Sequence, residues 1–324
     1  MTLIDPVPAA AAGAIALTLV LPADAAADTP LEVHSYASQV RDVDSVNSHW
    51  FETEDGVVLI DAQRLLPAAE RALAHLRATT SKPVTAIVVS HAHTDHYGGL
   101  PVWLEAFPDA TVYTDATTLG SIREDGRGFI AARTERHGDA FATQESLDAA
   151  VADAVVLAPG DRLKIGEHTL AIDVFGPSEA ESTVIVSIED QDITFIGDLI
   201  NVGAPAVPFE DIDAWLAQLD AIEARFGDDI LHIGHGPSPA GIDALVEQRR
   251  FLTALRAKVA DALANDGAVD PVEVDAIVFA LEAEWPFLQG VAGNTRREIL
   301  AFAATRVAGQ LGGEVREATR ASLE

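Results

Sequence analysis

The chain of 324 residues contains no cysteine. Disulfide bonds and thiolate ligands are therefore excluded, and any bound metal ion must be held by nitrogen and oxygen atoms. Basic residues are also scarce, since 21 lysines and arginines stand against 51 acidic residues and give a formal net charge of −30. Such a charge disfavours binding to DNA, RNA or anionic lipid headgroups. We therefore expect a small-molecule partner and no nucleic acid.

An apolar run long enough to cross a membrane is missing as well. Residues 9–21 form the apolar run near the start of the chain, and they are too few to cross a hydrocarbon core of about 30 Å. No stable membrane span is predicted. The small residues that follow are typical of a secretory cleavage site, although residues 1–8 hold Asp5 and no basic side chain. We predict that residues 1–27 are a signal peptide for a periplasmic or secreted protein; the alternative is a disordered leader on a cytoplasmic one.

The densest group of ionisable side chains lies in residues 91–99, which contain His91, His93, Asp95 and His96 and end in Gly98-Gly99. Residues 84–90 before them are mostly apolar and predict a buried parallel strand, and residues 100–107 after them predict a helix. Open α/β sheets place their chemistry at the carboxyl ends of strands. Three imidazoles and one carboxylate at such a position predict a metal site.

This segment resembles the metallo-β-lactamase superfamily, whose members carry a His-x-His-x-Asp-His loop followed by paired glycines. Residues 56–62, 195–199 and 233–237 are similar to other conserved loops of that family. The resemblance implies a ligand set for two ions. The first ion would be held by His91 and His93, the second by Asp95, His96 and His235, and Asp198 would bridge them.

An aspartate at position 198 is informative within that family. The best-known lactamases carry a cysteine there, and Asp198 resembles the lactonases, thioesterases and glyoxalase-type hydrolases instead. The resemblance implies a metal-bound hydroxide that attacks the carbonyl of an ester, lactone, thioester or amide, with Asp95 relaying a proton. Zinc, as one or two ions, is the first choice because imidazole donors dominate, and manganese or iron are the alternatives.

The chain departs from the family pattern at Glu179, where the superfamily usually supplies a third nitrogen to the first ion. Glu179 precedes Asp198 by 19 positions, which is about the family's interval. We predict that Glu179 is a ligand and shifts metal preference from zinc toward manganese or iron. The alternative is a surface glutamate and a degenerate metal-binding protein without catalysis. A flavodiiron-like redox protein is a further alternative, although residues after 239 show no flavin-binding pattern.

The fold class predicted for the chain is α/β. Strands are expected near residues 33–37, 50–53, 56–61, 84–90 and 111–113, and in a second half at 155–157, 163–165, 169–174, 183–188, 193–196 and 229–233. Helices are expected at 66–76 and 211–226. Two β-rich halves flanked by helices indicate a four-layer αβ/βα sandwich over residues 28–240. Residues 241–324 are predicted to form a C-terminal helical region that packs on the sandwich or forms a homo-oligomer.

Three further predictions concern side chains around the metal loop. Asp61 is expected to hydrogen-bond that loop without binding metal. Tyr97 and Asn201 contact substrate or serve packing and turn roles. The arginine-rich insertion, residues 123–136, recognises an anionic substrate group or is a solvated helical face. Its members are Arg123, Arg127, Arg133 and Arg136.

Overall fold

Two β-sheets packed face to face support the histidine segment at one edge. The computed structural model describes residues 30–38, 46–291 and 294–316, so the predicted signal peptide lies outside the described residues. The described residues from 32 onward belong to one compact unit. The predicted division at residue 240 stays a prediction.

The first sheet has six strands in sequence order. They are β1 (Val33–Ala37), β2 (Asn47–Glu52), β3 (Val57–Ile60), β4 (Val84–Val88), β5 (Thr111–Asp115) and β6 (Val155–Leu157). The first three strands pair antiparallel, and β3 to β6 pair parallel. The parallel pairs need crossovers, which helices supply.

The assignment of residues 155–157 to the second half was wrong. They form β6, which pairs with β5 in the first sheet. The intervening segment contains α4 (Ala116–Glu124), α5 (Phe129–His137) and α6 (Gln144–Ala150) and is therefore one crossover connection. A run of three apolar residues predicts a strand but does not indicate which of the two sheets that strand joins.

The second sheet has the order β11-β10-β9-β8-β7. Its strands are β7 (Arg162–Ile165), β8 (His168–Phe175), β9 (Thr183–Ile188), β10 (Ile193–Asn201) and β11 (Ile230–His235). Strands β7 to β10 are antiparallel, as the short polar turns predict, and β11 returns parallel to β10. Between these two strands lies α7 (Ile212–Phe226), whose first turn is capped by the Asp211 carboxylate.

Apolar side chains separate the layers. Between the sheets, the rings of Phe51 and Phe195 stack with centroids 5.9 Å apart. On the outside of the first sheet, α1 (Leu66–Thr79) and α3 (Leu100–Ala106) bury Leu76 and Trp103. Trp215 of α7 is buried against the second sheet. This arrangement is the predicted four-layer αβ/βα sandwich.

The C-terminal region contains α8 (Ile242–Leu263), α9 (Pro271–Glu284) and α10 (Arg296–Gln310). Their apolar faces join the core on the outer side of the second sheet, so the region packs on the sandwich. Homo-oligomer formation through these helices stays a prediction. Within the described ranges, no helix is both long and apolar enough to cross a membrane.

Candidate metal centre

The metal loop follows β4 and is fixed by close backbone contacts. The Val184 amide donates to the Ser90 carbonyl at 2.7 Å, which joins this loop to the second sheet. His93 then begins a single helical turn, α2 (Thr94–Tyr97). A Cβ atom on Gly99 would lie 2.1 Å from the Ala62 carbonyl oxygen, so only glycine permits this approach. The glycine therefore seats the histidine loop against the end of β3.

The first donor group is formed by His91, His93, Glu179 and Asp198, whose donor atoms lie within 4.8 Å of one another. Glu179 is 5% exposed, and its Oε1 lies 2.8 Å from His93 Nδ1. The second Glu179 oxygen is 3.5 Å from His91 Nε2. The structure thus places Glu179 beside both histidines, in a buried position rather than on the surface. Burial raises the pKa of the Glu179 carboxyl.

The second donor group is formed by Asp95, His96 and His235. His235 Nε2 lies 3.2 Å from Asp95 Oδ2. It also lies 3.1 Å from Asp198 Oδ2, and His96 Nε2 is 3.4 Å from that same oxygen. On the other side, His91 Nε2 lies 3.8 Å from Asp198 Oδ2. Asp198 Oδ2 therefore stands between the two groups, as a bridging carboxylate requires.

A glycine in β11 makes room for that carboxylate. A Cβ atom on Gly234 would lie 1.9 Å from Asp198 Oδ1. Burial opposes ionisation of Asp198, but the charges of His235 and His96 outweigh it and hold its pKa well below the usual range. The carboxylate is accordingly charged at neutral pH.

Asp61 supports the second group from the end of β3, as predicted. Its Oδ2 accepts a hydrogen bond from His96 Nδ1 at 2.7 Å. Its carboxylate also accepts from the Ser90 amide at 2.8 Å and from the Ser90 hydroxyl at 2.9 Å. Because Nδ1 of His96 is engaged, its Nε2 is the ring nitrogen left to face Asp198.

Arg64 is a site residue that the sequence did not reveal. Its guanidinium lies 3.2 Å from Asp95 Oδ1 and donates to the Thr94 hydroxyl at 2.9 Å. Arg64 is 6% exposed. Burial opposes ionisation of Asp95, but this guanidinium beside it holds its pKa well below the usual range. An arginine in a strand-end loop has no distinguishing pattern, so only the fold identifies its role.

The donor atoms fit a metal centre. Four of them are buried without a hydrogen-bond partner among the described residues: His93 Nε2, His96 Nε2, Glu179 Oε2 and Asp198 Oδ1. An unsatisfied buried polar atom costs about 1–3 kcal/mol, so four in one place indicate a ligand. Nitrogen and oxygen donors together suit zinc, manganese or iron.

The remaining histidines belong to neither donor group, as expected. They are His34, His49, His75, His137, His168 and His232. His232, which precedes His235 on β11, stacks on Phe195 with centroids 5.0 Å apart. Its side chain is therefore between the sheets and away from the site.

A cleft of about 250 Å³ opens onto both donor groups. Its walls are mainly apolar and include Phe129, Ala132, Pro205, Val207, Phe209, Val291 and Ile299. The rings of Phe129 and Phe209 lie 6.0 and 5.0 Å from the His93 ring. Polar lining comes from Arg64, Arg133, Asn201 and Asn294. The C-terminal helical region therefore supplies part of the cleft, which sequence reasoning missed because no ligand-type residues cluster there.

The arginine-rich insertion contributes unequally to this cleft. Arg133 lines it, whereas Arg136 is not part of its lining. Arg127 instead binds Glu181 at 2.7 Å and Glu210 at 2.5 Å. Arg123 donates to two backbone carbonyls beyond the insertion. Of the four arginines, Arg133 is the one placed to meet a substrate.

Asn201 and Tyr97, the two other residues predicted to contact substrate, also differ in position. Asn201 lines the cleft, and its amide nitrogen donates to the Asp198 carbonyl at 2.8 Å. Tyr97 is 2% exposed and packs in the core of the first sheet. Asn201 remains a predicted substrate contact, and the structure gives Tyr97 a packing role.

A family model described as the metallo-beta-lactamase superfamily matches residues 41–235. The chain belongs to this superfamily. Among curated proteins, it is 22% identical over 230 residues to a linear primary-alkylsulfatase from Pseudomonas sp. (strain ATCC 19151), covering 62% of this chain and 43% of that protein. It is 39% identical over 69 residues to an (R)-specific secondary-alkylsulfatase from Pseudomonas sp., covering 21% of this chain and 10% of that protein. The chain spans less than half the length of these relatives.

Solved structures show the same fold. A stereoselective inverting sec-alkylsulfatase from Pseudomonas sp. is 20% identical with a TM-score of 0.60, over 86% of this chain and 49% of that one. A metallo-beta-lactamase family protein from Thermus thermophilus is 22% identical with a TM-score of 0.58, over 87% of this chain and 92% of that one. The resemblance and the fold class predicted from the sequence are thereby confirmed.

Proposed function

We propose that the protein is a metal-dependent hydrolase. The observation that carries this proposal is the convergence of the seven predicted ligands into two buried donor groups that share Asp198. His91, His93 and Glu179 would hold the first ion, and Asp95, His96 and His235 the second. When bound, the ions polarise the substrate and lower the pKa of a water molecule toward about 7.

Neighbouring residues would orient the ligands and transfer protons. Asp61 fixes the ring orientation of His96 through the 2.7 Å hydrogen bond to Nδ1. Arg64 keeps Asp95 charged at the floor of the cleft. Asp95 can accept a proton from the attacking water and pass it to the leaving group, but Arg64 makes it a weak base, so it would hold that proton only briefly. Asp95 is therefore our candidate for the proton relay.

The cleft favours a substrate with an apolar part and a polar head. Its apolar walls would contact the apolar part of a substrate, and Arg133 with Asn201 supplies donors at the same opening. The carbonyl compounds inferred from the sequence fit this description: an ester, lactone, thioester or amide with an apolar substituent. Attack on their carbonyl carbon is the reaction we propose first.

A sulfate ester of an apolar alcohol is the second candidate. Both curated relatives are alkylsulfatases by name, and Arg133 provides a fixed positive charge for an anionic head group. The two candidates differ in the charge of the substrate. This difference makes them separable by one set of assays.

A substrate panel paired with elemental analysis tests the proposal. The protein would be stripped of metal, reloaded with zinc, manganese or iron(II), and assayed on p-nitrophenyl butyrate, an acyl lactone, an acyl thioester and a medium-chain alkyl sulfate. Metal-dependent turnover of any member supports the hydrolase. Full metal loading without turnover on the panel would favour the degenerate metal-binding alternative. With an added reductant, oxygen uptake by the iron form over many turnovers, beyond the oxidation of bound iron(II), would favour the redox alternative.

A further inference from the structure

Arg127 lies in the short connection between α4 and α5 and reaches two loops of the second sheet. Its Nη2 atom lies 2.7 Å from Glu181 Oε1 and 2.5 Å from Glu210 Oε1. Neither carboxylate belongs to a donor group, so these ion pairs have no direct part in holding metal. Their positions along the chain, however, place Arg127 between the segments that surround the first donor group.

Glu181 belongs to the loop that carries Glu179, between β8 and β9. Within this loop, the Ser178 amide donates to the Ala180 carbonyl at 2.9 Å. Glu181 Oε2 also accepts a hydrogen bond from the Ser121 hydroxyl at 3.2 Å. Both oxygens of the Glu181 carboxylate are therefore bound by α4 and the connection that follows it, and this holds the loop two residues beyond the Glu179 ligand.

Glu210 belongs to the loop between β10 and α7, which supplies Phe209 to the metal cleft. The Phe209 ring lies 5.0 Å from the His93 ring. The Glu210 amide donates to the Ser178 carbonyl at 3.1 Å, so this loop bonds directly to the loop between β8 and β9. Arg127 therefore binds two loops that already contact each other, one of which holds a ligand and the other a wall of the cleft.

The turn that carries Arg127 is itself fixed. The Asp125 carboxylate accepts hydrogen bonds from the Ile130 and Ala131 amides, each at 2.9 Å, and so ties the turn to the start of α5. Phe129, two residues after Arg127, lines the cleft. The Arg127 guanidinium lies 5.8 Å from the centre of the Phe129 ring. Arg127 thus links a third segment, the one that supplies Phe129, to the other two.

We propose that Arg127 is a positioning residue for the first donor group. Its two ion pairs hold the loop of Glu179 and the loop of Phe209 against the segment of Phe129. Glu179 is thereby kept beside both histidines of the group, between two aromatic walls of the cleft. This role rests on the proposed metal centre, because it concerns the geometry of one of its ligand sets.

The size of the expected effect follows from the exposure of the ion pairs. The side chains of Arg127, Glu181 and Glu210 are 30%, 39% and 19% exposed, so water screens part of their attraction. Loss of a residue that directly orients a ligand lowers metal affinity about 10–100-fold, and Arg127 acts one contact further from the metal. Arg127→Gln should therefore lower first-site affinity about tenfold and second-site affinity less than about threefold.

Calorimetric titration of the metal-free, full-length protein with manganese, combined with chelator competition, measures the two affinities. Arg123→Gln is the matched control, since it removes the same charge from the same insertion, but its guanidinium donates to the Val151 and Ala152 carbonyls. It should leave first-site affinity unchanged. Arg127→Lys should restore most of the lost affinity, because a single nitrogen of Arg127 meets both carboxylates and an ammonium is a compact charge of the same sign.

The carboxylates supply a second, independent arm. Glu181→Gln combined with Glu210→Gln removes both charged partners and should lower first-site affinity as much as Arg127→Gln does. Adding Arg127→Gln to this pair should lower it little further, because the two changes break the same contacts. Losses that add in full would show that Arg127 does not act through these carboxylates and would overturn the proposal.

Amide hydrogen exchange of the metal-free protein tests the same contacts without metal or turnover. Arg127→Gln should accelerate exchange in residues 176–183 and 203–210 and leave β4 and β11 unchanged, whereas Arg123→Gln should accelerate neither loop. Unchanged exchange in both loops, equal loss of affinity at both metal sites, or a lysine variant no better than the glutamine variant would overturn the proposal. Site-selective loss of metal in a protein that hydrolyses no substrate would overturn the proposed hydrolase and leave the role of Arg127 standing.

Discussion

The two donor groups of the metal centre differ in what holds their side chains. In the second group, His96 and Asp95 are each fixed from outside, by Asp61 at 2.7 Å and by Arg64 at 3.2 Å. In the first group, His93 and Glu179 contact each other at 2.8 Å, and His93 lies against aromatic rings of the cleft. The second group is therefore held by two charged partners, whereas the outside polar contact of the first is neutral, the Ser90 hydroxyl at 2.9 Å from His91 Nδ1.

This contrast has a consequence for metal binding. A ligand whose orientation is already fixed loses less conformational freedom when it binds an ion. Glu179 also departs from the histidine usual in the family. We therefore expect the second group to bind its ion more tightly and the first group to vary more in the metal that it accepts.

Loss of Asp198 should have the largest effect, because it stands between both groups. Asp198→Ala should remove both ions and lower any hydrolytic rate by orders of magnitude. His96→Ala and His235→Ala should each remove at least one ion per chain. Elemental analysis and the substrate panel measure both effects. Full metal content and activity in either histidine variant would disprove the assignment of the second group.

Substitutions at Glu179 should have the next largest effect, and they should change metal binding at the first group alone. Glu179→Gln removes the charge and should lower occupancy of the first site, while Glu179→His should shift its preference toward zinc. Calorimetric titration of the three proteins with zinc and with manganese measures these preferences. Three indistinguishable first-site affinities would show that Glu179 is not a ligand.

Removing the outer contact of the second group should have a smaller effect. Asp61→Asn weakens the hydrogen bond that orients His96 and should reduce second-site affinity roughly 10–100-fold. First-site affinity should fall less, because Asp61 reaches His91 only through the Ser90 hydroxyl. Competition with a chelator distinguishes the two sites. A loss of affinity confined to the first site would show that Asp61 supports the first group instead of the second.

The structure brings together side chains that the sequence placed near strand ends. The histidine loop follows β4, and Asp198 and His235 lie on strands whose ends meet it. The resemblance to the superfamily supplied their grouping into two ligand sets. Glu179 was found because it stands at the family's usual position for a ligand, 19 residues before Asp198. These signals depend on residue type and position along the chain.

The remaining features depend on tertiary packing and left no such signal. Arg64 is recognisable only because β3 ends beside Asp95. Val291 and Ile299 line the cleft because the C-terminal helices pack against the second sheet, which their helical periodicity does not specify. The wrong prediction for β6 has the same cause, since a run of three apolar residues does not indicate which sheet it joins.

The smallest expected effect concerns the insertion, which lines the cleft beside the first group through Phe129 and Arg133. Arg133→Gln should raise the Michaelis constant for an anionic substrate roughly tenfold, since one charged hydrogen bond is lost, and should leave a neutral ester unchanged. Arg136→Gln is the matched control and should change neither substrate, because Arg136 does not line the cleft. Metal content should stay the same in both variants. Equal effects on the anionic and neutral substrates would show that the insertion is a solvated face, and loss of first-site metal in Arg133→Gln would show that it supports the first group instead of the substrate.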